Sequence, residues 1–324
     1  MRMKVKKSLF AAACAAILLG GLLALSGSVF DSPKRPVIYM IVKVDREDYE
    51  FWRLIRAGAQ AAAKEHGCDF VFWGPKYEND AQEQIELVKR AIEKKPDAII
   101  ISAVDQYLLS DAAKQVADHG IKLLLLDSDI HSDVSRSFIT TDNAAAAVDL
   151  GHHLLDRLRA GGEIGIVSST MNATTAIDRE KGFKEAVEAS ADSRASIAFK
   201  EYSQENVDKS YHLTKELLRK NPNVTGLYGV NQQALEGIAI AVRELGVQDR
   251  ISVVGFDSSR LIIKGLEDGI IQAIVVQKPF NMGYASIISA LKDKSETILT
   301  GYELITKETM YSPQNEKLLF PFAE

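Results

Sequence analysis

Two aspartates, Asp127 and Asp257, each close a continuous apolar run, and a serine follows each: "KLLLLDSD" and "ISVVGFDSS". Runs of this kind suit strands buried on both faces, so each carboxylate falls where its strand leaves the core. A lone acid there would be a solvated loop group. Four other polar residues stand in comparable places: Asp45 after the first apolar run, Arg179 in "AIDREKGF", Asn231 in "YGVNQQ" and Gln277 ending "IQAIVVQ". The set combines carboxylate acceptors, a guanidinium donor and amides that are both. Each hydroxyl of a polyol donates and accepts, so this mixture suits a neutral polyhydroxyl ligand, and charged partners strengthen such bonds. The segment "YEFW", 49–52, adds Phe51 and Trp52 just after the first strand-to-helix loop. Their rings could cover the C–H face of a sugar ring, or pack the first helix onto its sheet. Arg179 has a solvated helix position as its alternative.

The elements that would position these groups alternate. Apolar β-type runs such as "VIYMIV", "CDFVFW", "DAIIIS", "EIGIVS", "TGLYGV" and "ISVVGF" are separated by helical patterns, for example over 80–94 and 206–220. This rhythm predicts α/β structure: doubly wound parallel sheets with helices on both faces. In such folds ligands bind beyond the carboxyl ends of the strands. The chain also repeats itself. "LVKRAIEKKPDAIIISAVDQ" parallels "LTKELLRKNPNVTGLYGVNQ", and further on "IKLLLLDSD" parallels "ISVVGFDSS", in the same order and at nearly the same separation. Two similar domains facing each other would gather their strand ends around one cleft, making Asp127 and Asp257 partners.

The chain of 324 residues is long enough for two such domains, and its formal net charge of -5 gives no sign of nucleic-acid binding, which normally needs a basic face. Of the two cysteines, Cys14 lies in the leader, so a processed chain with Cys68 alone has no intrachain disulfide. No Cys or His pair has metal-ligand spacing, and the adjacent His152 and His153 cannot share a helix face. Neither a metal nor a cofactor is expected. The N-terminus "MRMKVKK" is followed by no charge until Asp31, the pattern of a secretory signal, with weak cleavage sites around Ala24 to Ser28. The uncharged stretch 8–30 is also just long enough to span a bilayer, so residues 1–35 are expected to be a signal peptide, or a retained membrane anchor, with a short connector. Both place the body outside the cytoplasm.

The pieces "FWRLIRAGAQAAAKEHG", "LLLLDSD", "ITTDN", "DREKGF", "YGVNQQ" and "VVGFDSSRLIIKGLEDG", in this order and spacing, make the chain after about Pro36 resemble the periplasmic sugar-binding proteins of the ribose-binding type, the extracytoplasmic receptors of ABC importers. The resemblance implies two doubly wound domains joined by three crossovers and closing on a sugar. Its ligand contacts fall on Phe51, Trp52, Asp127, Arg179, Asn231, Asp257 and Gln277. The expected lobes are 36–141 plus 278–306 and 142–277 plus 307–324, with hinges near Thr141, Gln277 and Thr306. Departures are visible. Ser128 stands where ribose binders place an arginine, Asp45 and Tyr49 replace a small polar residue and Asn in the first loop, and "SQEN" lacks the family's aromatic. Either the sugar differs from ribose, or Arg46 or Lys43 supplies the missing donor.

The expected function is therefore delivery of a monosaccharide or related polyol to an ABC permease by a monomeric binding protein. The alternative is a membrane-anchored sensor reporting sugar binding to a receptor histidine kinase. A transcriptional repressor shares this fold, but the leader occupies the place of its DNA-binding helices. An enzyme is disfavoured by the lack of a nucleophile elbow or glycine-rich phosphate loop.

Overall fold

The computed structural model describes residues 34–321, apart from 136, 160 and 191–194. The expected signal or anchor lies outside the described residues. The first run of elements is β1 (Val37–Ile41), α1 (Glu50–His66), β2 (Asp69–Trp73), α2 (Ala81–Glu93), β3 (Ala98–Ile101), α3 (Ser110–Asp118), β4 (Lys122–Leu126) and β5 (Ser137–Thr140). The second is α4 (Asn143–Leu155), β6 (Gly162–Ser168), α5 (Thr174–Ala189), β7 (Ala195–Tyr202), α6 (Val207–Lys220), β8 (Val224–Gly229), α7 (Gln232–Leu245), β9 (Ser252–Phe256), α8 (Arg260–Glu267) and β10 (Ala273–Gln277). The chain returns through α9 (Pro279–Leu291), β11 (Thr297–Leu299), β12 (Tyr302–Thr306) and α10 (Pro313–Leu319).

The strands form two six-stranded sheets, ordered β11-β5-β4-β3-β1-β2 and β12-β10-β9-β8-β6-β7. Replacing β1 to β5 by β6 to β10, and β11 by β12, turns one order into the other. All pairings are parallel except that of β12 with β10. The expected pair of similar doubly wound α/β domains is thus the observed architecture. The apolar runs explain it: β3 is buried at every position and β4 at all but its first, as strands covered on both faces must be. Along β1, Ile38 and Met40 join one apolar cluster while Tyr39 and Ile41 join the other, the two-residue alternation of a strand.

Helix starts were legible. The stretches read as helical over 80–94 and 206–220 begin at Ala81 and Val207, and the side chains of Asp80 and Asn206 cap them by accepting from the backbone N–H groups of Glu83 and Lys209. After β10 the chain re-enters the first lobe, where α9 buries Met282, Ile287 and Ala290 against α1. That crossing is close because both helices carry glycine at it. A Cβ at Gly58 would strike the carbonyl of Phe280, and one at Gly283 the carbonyl of Ile55.

One expected boundary moves. Residues 302–306 were assigned to the first lobe, but β12 pairs with β10 in the second sheet, Ala273 opposite Thr306. The third crossover therefore lies at Thr300 and Gly301 rather than near Thr306, and Gly301 takes the left-handed backbone (φ 76°) that turns β11 into β12.

Candidate ligand-binding site

Asp127 follows β4 and Asp257 follows β9, equivalent strands of the two sheets. Both take the left-handed conformation, with φ of 61° and 71°, and both donate their backbone N–H to the next strand, to Ile139 O (2.8 Å) and Val275 O (2.7 Å). For a residue with a Cβ that conformation costs roughly 1–2 kcal/mol, and aspartate is among the few that tolerate it. The two lobes thus share one local device, in which a strained residue aims a carboxylate beyond the strand end.

Each carboxylate is held by its own lobe. Asp127 Oδ2 accepts from Lys43 Nζ at 2.9 Å, with the hydroxyls of Ser102 (3.4 Å) and Ser128 (3.3 Å) nearby. Asp257 Oδ1 accepts from Gln277 Nε2 at 2.7 Å, and its Oδ2 lies 3.7 Å from Arg179 Nη1. Arg179, buried in α5, donates from Nε to Asn143 Oδ1 (2.8 Å) and from Nη1 to the carbonyl of Val230 (3.0 Å), and its guanidinium stacks 4.0 Å from the Phe256 ring centroid. Two hydrogen bonds and a ring fix a planar donor before any ligand arrives. Asn231 is oriented by a different rule. It is the N-cap of α7, so its Oδ1 accepts from Ala234 N (3.0 Å), and its Nδ2 at the cleft donates to Glu205 Oε2 and to Gln233 Oε1 (2.8 Å).

These groups surround one cavity that is partly open to solvent. Of the residues singled out from sequence, Phe51, Trp52, Asp127, Arg179, Asn231, Asp257 and Gln277 line it. Trp52 is 3% exposed and belongs to the core under α1 while also lining the cavity, with Phe51 meeting it edge-on at 4.9 Å. Asp45 is a correction. It does not line the cavity, because Arg56 on α1 takes its carboxylate as an ion-pair partner.

Lining residues outside the sequence-based set include Lys43, Tyr49, Glu78, Glu205 and Gln233. Lys43 is the donor beside Asp127, one of the two replacements considered for the missing arginine; Arg46, the other, pairs with Asp48. Ser128 is fully buried and meets Thr175 of the second lobe at 3.4 Å. Glu78 follows β2 and Glu205 follows β7, again equivalent strands. A faint signal was present, since both loops carry Glu-Asn just before their helix, "YEND" and "SQEN".

The electrostatics are uneven. Burial raises the Asp257 carboxyl, as does the charge of Asp127, while Arg179 and the Gln277 hydrogen bond oppose the rise. Glu205 is also raised by burial, against Lys43 and hydrogen bonds from Asn231 and Ser169. Glu78 is pushed up to about 8, first by loss of water and then by the negative charge of Glu205, with Lys43 and the Gln233 hydrogen bond pulling it down. The lobes touch around this cluster. Gln233 Nε2 donates to Glu78 Oε2 (2.9 Å), Asn172 Nδ2 to Asp105 Oδ2 (2.8 Å), Gln106 N to Asn172 O (3.1 Å) and Asp129 N to Thr174 Oγ1 (2.8 Å). This is a closed arrangement.

Residues 38–292 match the periplasmic binding protein domain. The D-ribose/D-allose-binding protein of Pseudomonas aeruginosa is 29% identical over 88% of this chain and 93% of its own length. A carbohydrate-transporter solute-binding protein from Agrobacterium radiobacter, solved with D-arabinose, superposes with a TM-score of 0.83 at 28% identity, over 89% of this chain and all of that one. A sugar transporter structure from Clostridium phytofermentans is 36% identical, with a TM-score of 0.77 over 84% of this chain and 99% of its own. The match over most of the chain, on two equivalent lobes that meet around one polar cleft, makes this chain a member of the periplasmic binding protein family.

Proposed function

We propose that this protein is an extracytoplasmic binding protein that closes on a small sugar or polyol and presents it to an ABC importer. The observation that carries the reading is the placement of Asp127 and Asp257, one per lobe, in the same left-handed position facing one cavity. Sugar hydroxyls donate to these carboxylates and accept from Arg179 and the Asn231 amide, while Phe51 and Trp52 supply an apolar wall. The relatives' descriptions, naming ribose, allose and arabinose, support a monosaccharide. Relatives are binding proteins of transporters, and the role given to this chain is binding, without catalysis or cofactor, as a monomer.

The three crossovers serve as the hinge. Thr141 Oγ1 donates to Gln277 Oε1 (2.9 Å), Thr300 N to Thr140 O (3.0 Å), and Lys278 Nζ pairs with Glu303 (2.9 Å), so the connecting segments are tied side by side and bend together. A ligand drives closure only through contacts that differ between the open and closed states, which requires groups from both lobes.

A thermal-shift screen of pentoses, hexoses and their derivatives tests the reading. A cognate ligand at 100 times its dissociation constant stabilises the native state by about 2.7 kcal/mol; no shift with any of them refutes sugar binding. The uncharged stretch 8–30 supports a second reading, an anchored sensor coupled to a receptor kinase. No described helix is long and apolar enough to cross a membrane. Sequencing the N-terminus of the protein recovered from its cell envelope separates the two, since the sensor keeps this stretch and the delivered receptor loses it.

A further inference from the structure

Six charged side chains line the cavity, four acids and two cations. The cations are engaged: Lys43 with Asp127 at 2.9 Å and Arg179 with Asp257 at 3.7 Å. That leaves Glu78 and Glu205, one from each lobe, hydrogen-bonded by amides, with the charge of Lys43, already paired to Asp127, acting on both from beyond ion-pair distance. Gln233 donates to Glu78 and Asn231 to Glu205, and among the described residues no cation lies within ion-pair distance of either. Two carboxyl groups brought together from opposite lobes and shielded from water repel, and amide donors do not neutralise them. With a neutral sugar that repulsion has to be relieved by a proton taken up on closure, and an anionic ligand, a uronate or a sugar phosphate, adds to it. A second feature points the same way. Tyr49 lines the cavity beside Glu78, and an aromatic ring next to carboxylates is a recognised setting for an ammonium group.

We propose that the ligand is an amino-substituted sugar or polyol whose ammonium group seats between Glu78 and Glu205 at the junction of the lobes. This rests on reading the cleft as a polyol site: Asp127, Asp257 and Arg179 take the hydroxyls, and the glutamate pair takes the amine. The ammonium supplies three donors and one positive charge, which meets both carboxylates and ties the lobes across the cleft. It also explains a departure noted in the sequence, since "SQEN" places Glu205 in the loop where ribose binders carry an aromatic.

The test is calorimetric titration of the full mature protein with matched probes: glucosamine, galactosamine, mannosamine and 1-amino-1-deoxysorbitol against glucose, galactose, mannose and sorbitol, with the N-acetyl forms of the three amino sugars as uncharged controls. At least one amine should bind about tenfold or more tighter than its neutral counterpart, the worth of about one charge-assisted hydrogen bond, and acetylation should abolish the gain. Glu78→Gln and Glu205→Gln, which keep shape and remove charge, should each erase the preference for the amine while leaving the melting temperature of the ligand-free protein in place. Neutral probes binding as tightly as their amines, or tighter, overturn the amine assignment and leave the sugar-binding reading standing. Binding of neither set, while the protein melts cooperatively, overturns both.

Discussion

Replacing Lys43 by methionine removes a charge and keeps most of the side-chain volume. In the closed arrangement the Lys43 and Asp127 side chains are 8% and 5% exposed, with Nζ 2.9 Å from Oδ2. Both belong to the first lobe, at the ends of β1 and β4, so an open cleft admits water to both. Breaking a buried pair by removing one member costs about 3–5 kcal/mol, because the other charge is stranded; an exposed pair is worth about 0–1 kcal/mol. The difference, about 2–5 kcal/mol, falls on the closed state, and so on affinity. Lys43→Met should therefore weaken ligand binding by about 30-fold or more, while urea melts of the ligand-free protein shift by no more than about 1 kcal/mol. Calorimetric titration and the melts, run on the same preparation, measure both quantities. A ligand-free melt that loses the full amount, with affinity unchanged, would show that the pair holds the first lobe together and would refute the reasoning.

Asp257→Ala should abolish measurable binding, and because alanine is strained at φ 71°, Asp257→Gly is the better-folded control with the same loss; tight binding by either variant contradicts the paired-aspartate site. Glu78 is raised to about 8 by the closed cleft, so the closed state holds a proton that the open one releases; closure on a neutral ligand is favoured fully below the ordinary glutamate range and loses that support as pH rises to about 8. Affinity for a neutral sugar should then fall between pH 5 and 8, by at most about tenfold per unit, and affinity for an amine should stay level; the reverse pattern in titrations across that range would count against the glutamate pair. Gly58→Val, which drives side-chain atoms into the backbone of α9, should destabilise the fold by about 1–3 kcal/mol or more in urea melts. Small-angle scattering should show the radius of gyration contracting on addition of a ligand, and an unchanged distance distribution would exclude hinge closure.

The lobes were legible because both are written in the same terms. An apolar run ending in Asp-Ser occurs twice, and a helix–strand unit precedes each at nearly the same distance. Asp45 shows where that reasoning stops. Its position after β1 is right for a ligand contact, but Arg56, eleven residues on and in a helix, reaches back for it, and nothing in the spacing announces that pairing. Lys43 had a signal that was underweighted, since a lysine inside the apolar run "MIVKV" needs a buried anion, and Asp127 is that anion. Glu78 and Glu205 sit in loops of unequal length, so beyond the shared Glu-Asn before each helix the repeat does not align them, and the sheet order makes their equivalence plain. The misplaced crossover had a local cause as well, because "LTGYELIT" reads as one strand unless Gly301 is taken as a turn.

Gln277 has no idle atom in its amide. The nitrogen holds Asp257, the oxygen accepts from Thr141, and the residue itself ends β10 where the chain crosses between lobes. On the proposed reading, the acceptor offered to the ligand and the axis of rotation are thus links of one short chain, Asp257–Gln277–Thr141, close to the fulcrum. The Asp105–Asn172 contact lies at the rim, the long end of the lever. A ligand that leaves Asp257 poorly satisfied loosens the fulcrum slightly, and the lever magnifies that looseness into a wider gap at the rim. A membrane partner reading the rim would therefore sense how well a ligand fits as well as whether one is bound, so that near-cognate compounds give a graded response instead of a silent one.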